Sequence, residues 1–157
     1  MVIRLYLDTN VFCRPFDNQA MRRIRRETEA FERILEKIRG NEADFVTSEI
    51  LVFEIQRIIS PAKRAKASGY LYLANGYHIM RDETFALGQE IMEKFKLEPR
   101  DALHAASALL EGCGYFLTCD DGVNKRFKKR PLSVTIRGQN RTLEVMNPED
   151  FVKKKGW

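Results

Sequence analysis

The run that decides the fold is VIRLYLDTN, at residues 2–10, in which a largely apolar stretch stops abruptly at the carboxylate of Asp8 and two small polar residues. A short run rich in branched and aromatic side chains is typical of a β-strand. If this strand is central and parallel, Asp8 lies at its carboxyl end, where open α/β sheets bind their ligands. Asp8 is therefore a candidate metal ligand, although a single Asp after a strand more often only caps the next helix.

The composition predicts one domain spanning residues 1–157. With 44% hydrophobic residues, a chain of 157 residues can bury a core without disulfides. No apolar stretch approaches the length of a membrane span, and Met1 leads into the first strand without a signal region, so we expect a cytoplasmic protein with no membrane partner. Cys13, Cys113 and Cys119 are widely spaced and odd in number, which predicts reduced, semi-buried thiols.

The net charge of +5 is concentrated in a few basic clusters, at residues 22–26, 63–66, 125–130 and 153–155. Polyanions are the natural partner of such clusters, although a basic run is most often a solvated face. The cluster with Lys125, Arg126, Lys128 and Lys129 carries more weight, because it follows a possible site at Asp120.

Hydrophobic spacing predicts an alternation of strands and helices. After the first strand we expect helices at 19–39, 49–59, 62–75, 82–95 and 148–155, and a further helix from near Pro99 to just before Gly112. We expect strands at 43–47, 77–80 and from 114 to the acids at 120–121, and a hairpin of 133–137 with 142–145. This order predicts a parallel sheet covered by helices on both faces. Ser48 is expected to cap a helix buried on most sides, Phe85 to point inward, and residues 70–73 to form either core or a dimer surface.

Four carboxylates converge on one rim in this arrangement. Asp8 and Asp120 end strands, Asp101 lies in the first turn of a helix, and Glu54 lies in an apolar helical run. Asp101 and Glu54 also have ordinary structural explanations. An acid in the first turn of a helix interacts favourably with the helix dipole, and Glu54 can pair with Arg57. Clustered carboxylates repel by about 4 kcal/mol per close pair at an effective dielectric near 20, so the cluster requires a cation. Oxygen ligands favour Mg²⁺ or Mn²⁺, which suits phosphodiester hydrolysis.

His104 lies three residues after Asp101 and shares its helix face. Because it is set among alanines and leucines, we expect a packed or hydrogen-bonded histidine rather than a metal ligand.

Four motifs, in this order and over this length, resemble the PIN-domain family, and within it the small stand-alone toxins of the VapC type. They are LDTNV at 7–11, SEILVFE at 48–54, RDALHAA at 100–106 and LTCD at 117–120, and the closing VMNPEDF at 145–151 is similar to the ending of many such proteins. The resemblance implies a three-layer α/β/α sandwich with a central parallel sheet, metal-dependent endoribonuclease activity, frequent homodimers, and inhibition by an antitoxin peptide.

Carried over by position, the resemblance makes Asp8, Glu54, Asp101 and Asp120 the catalytic quartet, with Mg²⁺ or Mn²⁺ on Asp8, Asp101 and Asp120. It also implies that Asn10 and Thr118 orient the quartet. Asp121 competes with Asp120, and Glu49 with Glu54; we favour Asp120, which follows Thr118 by two, and Glu54, which lies inside the apolar run. The preference for RNA over DNA rests on the resemblance alone.

Three hypotheses follow. The first is a ribonuclease dependent on Mg²⁺ or Mn²⁺, either a toxin or a processing enzyme. The second is a phosphatase with an aspartyl nucleophile at Asp8, which Asn10 argues against because that reaction needs a second Asp at this position. The third is a non-catalytic RNA-binding or dimeric scaffold module in which the carboxylates are residual.

Overall fold

The computed structural model describes residues 2–157. Its strands are β1 (Ile3–Leu7), β2 (Ala43–Ser48), β3 (Gly76–His78), β4 (Tyr115–Leu117), β5 (Leu132–Ile136) and β6 (Gln139–Met146). Its α-helices are α1 (Thr9–Cys13), α2 (Arg22–Arg39), α3 (Glu49–Gln56), α4 (Pro61–Tyr70), α5 (Asp82–Phe95), α6 (Pro99–Leu110), α7 (Asp121–Arg126) and α8 (Pro148–Lys155). Short 3₁₀ helices at Arg14–Phe16 and Leu71–Leu73 follow α1 and α4.

The strands form one six-stranded sheet in the order β3-β2-β1-β4-β6-β5. β1 is parallel to both of its neighbours, and β3 and β6 extend the parallel part on either side. β5 runs antiparallel to β6. Arg137 and Gly138 join them with φ values of 50° and 78°, which a two-residue hairpin turn requires. The predicted parallel sheet with a C-terminal hairpin is confirmed.

Alternation along the strands assigns the helices to two faces of the sheet. Tyr6 packs on one side with residues of α5, α6 and α7, whereas its neighbours Leu5 and Leu7 pack on the other side with residues of α1 to α4 and α8. All three side chains are fully buried. The result is the three-layer α/β/α sandwich that the resemblance implied.

The helix expected at 49–59 is shorter and more exposed than predicted. It ends at Gln56, and only Leu51 and Ile55 are buried in it. Phe53 is 46% exposed and Ile59 94% exposed. The expectation of burial on most sides was wrong, because α3 packs on the sheet with one face only, and the all-round apolar pattern does not show which face that is.

Other differences are local. A short helix, α1, follows Asp8 directly, and the predicted helix at 19–39 begins only at Arg22. Phe85 is exposed rather than inward, because the buried face of α5 is formed by Leu87, Ile91 and Phe95. The expected aromatic surface at 70–73 is divided: Tyr70 packs against Phe12, Phe16 and Phe31, while Tyr72 is exposed.

A buried carboxylate ties α8 to α2. Glu27, only 1% exposed, accepts hydrogen bonds from Arg14 Nε at 2.9 Å and Asn147 Nδ2 at 2.5 Å. Asn147 also caps α8, because its Oδ1 accepts the Glu149 amide at 2.8 Å. A charge so deeply buried persists only when it is paired and fully hydrogen-bonded, so this contact fixes the position of the last helix.

Among the helices of residues 2–157, none combines the length and the apolar character needed to cross a bilayer.

Candidate active site

The four predicted site carboxylates lie around the edge of the sheet where the parallel strands end. Asp8 directly follows β1, and Asp120 lies three residues beyond β4. Asp101 is in the first turn of α6, and Glu54 is near the end of α3, which follows β2. The sheet order places β1 between β2 and β4, so the elements that carry these residues are neighbours.

Asp8 is the most buried of the four, with 6% of its surface exposed. It caps α1, because its Oδ1 accepts the Thr9 amide at 2.7 Å. Its Oδ2 accepts the Thr118 hydroxyl at 2.7 Å and, at 3.3 Å, the side-chain amide of Asn10. Burial raises the pKa of Asp8 and outweighs the hydrogen bond from Thr118. The capping alternative is therefore true of Asp8, yet its carboxylate also faces the other acids.

Thr118 and Asn10 link the ends of β1 and β4. Asn10 Nδ2 donates to Thr118 Oγ1 at 3.2 Å, and Asn10 Oδ1 accepts the Cys119 amide at 3.0 Å. Thr118 Oγ1 also accepts the amide of Asp120 at 3.1 Å. Each side chain therefore bonds both to the neighbourhood of Asp8 and to the segment that carries Asp120, which is the arrangement that orienting residues need.

Glu54 does not pair with Arg57, the alternative left open by the sequence. Its Oε1 accepts hydrogen bonds from Thr9 Oγ1 at 2.7 Å and His104 Nε2 at 2.5 Å, while Arg100 lies 3.7 Å from Oε2. Burial raises the pKa of Glu54, but the hydrogen bond and charge of His104 outweigh burial, so the pKa is lowered overall. Glu54 is therefore held as a carboxylate in the site.

The pKa of Asp101 is affected by the negative charge of the other three acids. Burial and the negative charges of Asp8, Asp120 and Glu54 raise its pKa to about 6, although His104 opposes the shift. The four acids thus share one electrostatic site even though their oxygens are not all in contact. The joint site of all four acids stays a prediction, because only Asp8 and Glu54 belong to a close group with His104.

The structure separates Asp120 from Asp121. Asp120 Oδ1 caps α7 by accepting the Val123 amide at 3.2 Å, and its charge acts on Asp101. Asp121 turns outward instead and forms two 2.7 Å hydrogen bonds with Arg23, which lowers its pKa. Similarly, Glu49 accepts the Met80 amide at 3.1 Å, at the end of β3. Asp121 and Glu49 are thus engaged by Arg23 and Met80, and the assignment of Asp120 and Glu54 as site residues stays a prediction.

In the basic opening turn of α2, Arg23 and Arg26 form ion pairs, whereas Arg22 and Arg25 form none within residues 2–157. Besides Asp121, Arg23 reaches the carbonyl of Cys119 at 2.8 Å, and Arg26 pairs with Glu149. Arg23 and Arg26 therefore brace α2 against the β4–α7 connection and α8.

The possible metal-ligand atoms at the acids are mainly carboxylate oxygens, which suit a hard divalent cation. Oxygens of Asp8 and Glu54 and a nitrogen of His104 lie within 4.8 Å of one another. Both ring nitrogens of His104 are already engaged, however, with Tyr6 and with Glu54. The oxygens of Asp101 and Asp120 complete no such close group within residues 2–157, but they contribute to the same negative potential. Carboxylate oxygens under mutual repulsion are what Mg²⁺ or Mn²⁺ binds.

A cavity of 730 Å³ lies between α7, β6 and α8, beside the ends of β4 and β6. Lys125, Lys128 and Lys129 line it, whereas Arg126, on the same helix, does not. Within residues 2–157, these four basic side chains form no ion pair with a carboxylate. The predicted basic cluster thus adjoins the acids with its charges available.

Together, a parallel sheet and acids at its carboxyl edge define an α/β protein with its ligand site at the ends of the strands. A family model described as PIN domain matches residues 5–129, which include all four motifs quoted from the sequence. The chain therefore belongs to the PIN-domain family.

Among solved structures, the chain is similar to one from the crystal structure of VapBC2 from Rickettsia felis bound to a DNA fragment from their promoter. The two share 17% identity and a TM-score of 0.56, over 92% of this chain and 98% of that one. At that identity the likeness shows the fold alone. A search of the curated proteins found no match.

Sequence reasoning missed the side chains behind the carboxylates. Tyr6 and Ser48 approach the site from the sheet, and Thr9 contacts Glu54. Ser48 was predicted only as a helix cap, which it also is. One available signal was the alternation in β1: it turns Tyr6, two residues before Asp8, to the same face of the sheet as α6, where a buried hydroxyl needs a partner.

Replacing Asp101 with Asn should raise the melting temperature of the metal-free protein at about pH 7.5. Its pKa is raised from 3.8 to about 6 on folding, so its contribution to stability is fully present below 3.8 and is lost as the pH rises through about 6. We expect a gain of about 2–4 °C over wild type at the higher pH, shrinking as the pH falls. Calorimetry in chelator, with Asp121→Asn as the matched control, would show it; no gain at high pH would contradict the shared site.

Proposed function

We propose that the protein is an endoribonuclease that hydrolyses RNA phosphodiester bonds with Mg²⁺ or Mn²⁺ at Asp8, Glu54, Asp101 and Asp120. The observation that carries the proposal is geometric: Asp8 follows β1 and Asp120 lies beyond β4 at the carboxyl edge of the sheet, and carboxylate oxygens of Asp8 and Glu54 lie within 4.8 Å of each other. Membership of the PIN-domain family supports nuclease chemistry.

The oxygens of Asp8, Asp101 and Asp120 would hold the cation. When bound, such an ion lowers the pKa of water and stabilises charge on the phosphate. Glu54 keeps Oε2 free of hydrogen-bond donors within residues 2–157, since Thr9 and His104 both bond Oε1. We assign to this oxygen the task of accepting a proton from the attacking water.

The basic cluster would hold the RNA backbone. Lys125, Lys128 and Lys129 line a cavity beside α7, the helix that Asp120 caps, and Arg126 lies on the same helix. A single strand entering this cavity would bring its phosphates from the lysines toward the carboxylates, and a positively charged groove that follows the backbone is how proteins bind single strands.

Asp8→Asn and Asp101→Asn should each reduce cleavage of a mixed cellular RNA pool at least about 100-fold, because each removes a ligand charge from the cation site. The assay compares purified variants with wild type in Mg²⁺, in Mn²⁺ and in chelator. Glu29→Gln is the control, because Glu29 is an exposed carboxylate of α2 that forms no ion pair within residues 2–157, and this variant should keep activity within about threefold of wild type.

Two outcomes would overturn the proposal. Full turnover in both site variants would sink the site assignment. A wild-type protein that binds RNA but does not cut it in either metal would favour the scaffold alternative.

Replacing Lys125, Arg126, Lys128 and Lys129 together with Ala should weaken RNA binding and flatten its salt dependence, by about 0.7 in the log–log slope for each phosphate that the protein no longer neutralises. Titrations at several salt concentrations, using the inactive Asp101→Asn background, measure the slope. Arg33→Ala with Arg39→Ala is the control, because the C-terminal end of α2 leads into β2 at the opposite edge of the sheet. An unchanged slope would move the RNA-binding surface elsewhere.

We further propose that the protein is the toxin of a toxin–antitoxin pair, acting on RNA in the cytoplasm and inhibited by an antitoxin protein. The similarity to a chain of VapBC2 supports this class of partner. The homodimer implied by the resemblance stays a prediction; the exposed Tyr72 and Ile59 are compatible with a partner surface, and sedimentation equilibrium would test it.

Induced expression of wild type in a bacterial host should stop growth, whereas Asp101→Asn at matched protein level should not, because only the wild type can cleave cellular RNA. Plating efficiency and immunoblotting measure the two quantities. Normal growth with active, soluble wild-type protein would favour a processing enzyme over a toxin.

A further inference from the structure

His104 has both ring nitrogens in short hydrogen bonds although the residue is completely buried. Its Nδ1 lies 2.6 Å from the Tyr6 hydroxyl, and its Nε2 lies 2.5 Å from Glu54 Oε1. The Tyr6 hydroxyl in turn lies 2.6 Å from Ser48 Oγ, which accepts the amide of Leu51 at 3.1 Å. A continuous chain of hydrogen bonds therefore runs from the first turn of α3, through β1 and α6, to Glu54 near the end of α3.

The direction of the last bond in this chain is fixed by chemistry. A carboxylate only accepts, so the hydrogen between His104 and Glu54 belongs to Nε2, whether the ring is neutral or charged. In the neutral ring, Ser48 donates to Tyr6, Tyr6 donates to Nδ1, and Nε2 donates to Glu54, so that each hydroxyl donates once. A buried histidine with no free ring nitrogen is unavailable as a metal ligand.

These hydrogen bonds also determine which oxygen of the Glu54 carboxylate is left for the attacking water. His104 and Thr9 both bond Oε1, so that oxygen is saturated by two donors. Oε2 has only the guanidinium of Arg100 nearby, at 3.7 Å. Without His104, only the Thr9 hydroxyl would hold Oε1 among the described residues, so the carboxylate would be less firmly oriented.

We propose that His104, held by Tyr6 and Ser48, is a positioning residue that locks the Glu54 carboxylate with Oε2 toward the reacting water. The inference rests on the proposed nuclease function. In this proposal, His104 of the RDALHAA motif acts through Glu54. The Tyr6 hydroxyl belongs to the same hydrogen-bond network.

A double-mutant cycle tests this dependence. His104→Leu should lower kcat for RNA cleavage about 10- to 100-fold with little change in KM, because alignment is lost while RNA contacts remain. His104→Gln, whose amide can donate to Glu54, should recover part of the loss. In the Glu54→Gln background, His104→Leu should cause no further loss, because the residue it positions is already absent. A full additional loss there would show that His104 acts independently or only supports the fold, and would overturn the inference.

Tyr6→Phe provides a second variant that keeps the ring and its packing. It should lower kcat several-fold, again only when Glu54 is present. Tyr115→Phe is the matched control from the neighbouring strand, because its hydroxyl has no hydrogen-bond partner within residues 2–157, and it should behave as wild type. Equal effects of the two substitutions would overturn the role of Tyr6.

Nuclear magnetic resonance separates the failure of this inference from the failure of the nuclease proposal. The Nε2–H of His104 should give a slowly exchanging, strongly downfield proton signal in ¹⁵N-labelled protein, assigned with His78→Gln and His104→Gln. Glu54→Gln should shift it, because the charged acceptor is lost. An absent or unshifted signal overturns the hydrogen bond even if the protein cuts RNA. If the signal behaves as expected but wild type cuts nothing, the nuclease proposal fails, and with it the catalytic part of this inference.

Discussion

Negative charge gathered at the carboxyl edge of a parallel sheet is the constraint on which the rest of the site depends. Parallel pairing of β1 with β2 and β4 brings the elements that carry Asp8, Glu54 and Asp120 together, so the fold that buries the core also creates the repulsion. Hydrogen-bond donors offset part of it: Asp8 and Glu54 each receive at least two. Asp101 accepts no side-chain hydrogen bond within residues 2–157, and its pKa is raised to about 6.

The basic clusters of α2 and α7 differ in how their charges are engaged. In α2, Arg23 and Arg26 are engaged by Asp121 and Glu149 and serve to hold the elements around the site. In α7 and the segment after it, Lys125, Lys128 and Lys129 border a cavity without carboxylate partners in the described chain. Two basic clusters of similar composition thus differ in their ion pairing within residues 2–157, a difference that net charge does not reveal.

The layered sheet was predictable, because alternating strands and helices form a parallel sheet with helices on both faces, and strand order alone brings the ends of neighbouring parallel strands together. The choice between Asp120 and Asp121 was open in the sequence, since adjacent residues share every local signal. It depends on Arg23, which lies nearly 100 positions away in the chain. The burial of α3 was wrong for a related reason: an apolar side chain such as Phe53 shows that it can be buried, not that a neighbour covers it.

His104 illustrates a third kind of limit. Its setting correctly predicted a buried, hydrogen-bonded residue, but its partners come from β1 and α3, and no spacing within α6 identifies them. The partners of His104 lie on other elements of the fold, so they are identified only from the three-dimensional structure.

The contact between Glu27 and Asn147 has a consequence for the order in which the molecule can be assembled during synthesis. Asn147 lies close to the end of the chain, yet it bonds a buried carboxylate in the first long helix. β6, which precedes it directly, pairs with β4 beside the acids. A chain still emerging from the ribosome therefore has neither the strand that supports the site nor the partner that Glu27 needs. Vectorial synthesis thus delays a complete site until β6 and Asn147 have been translated.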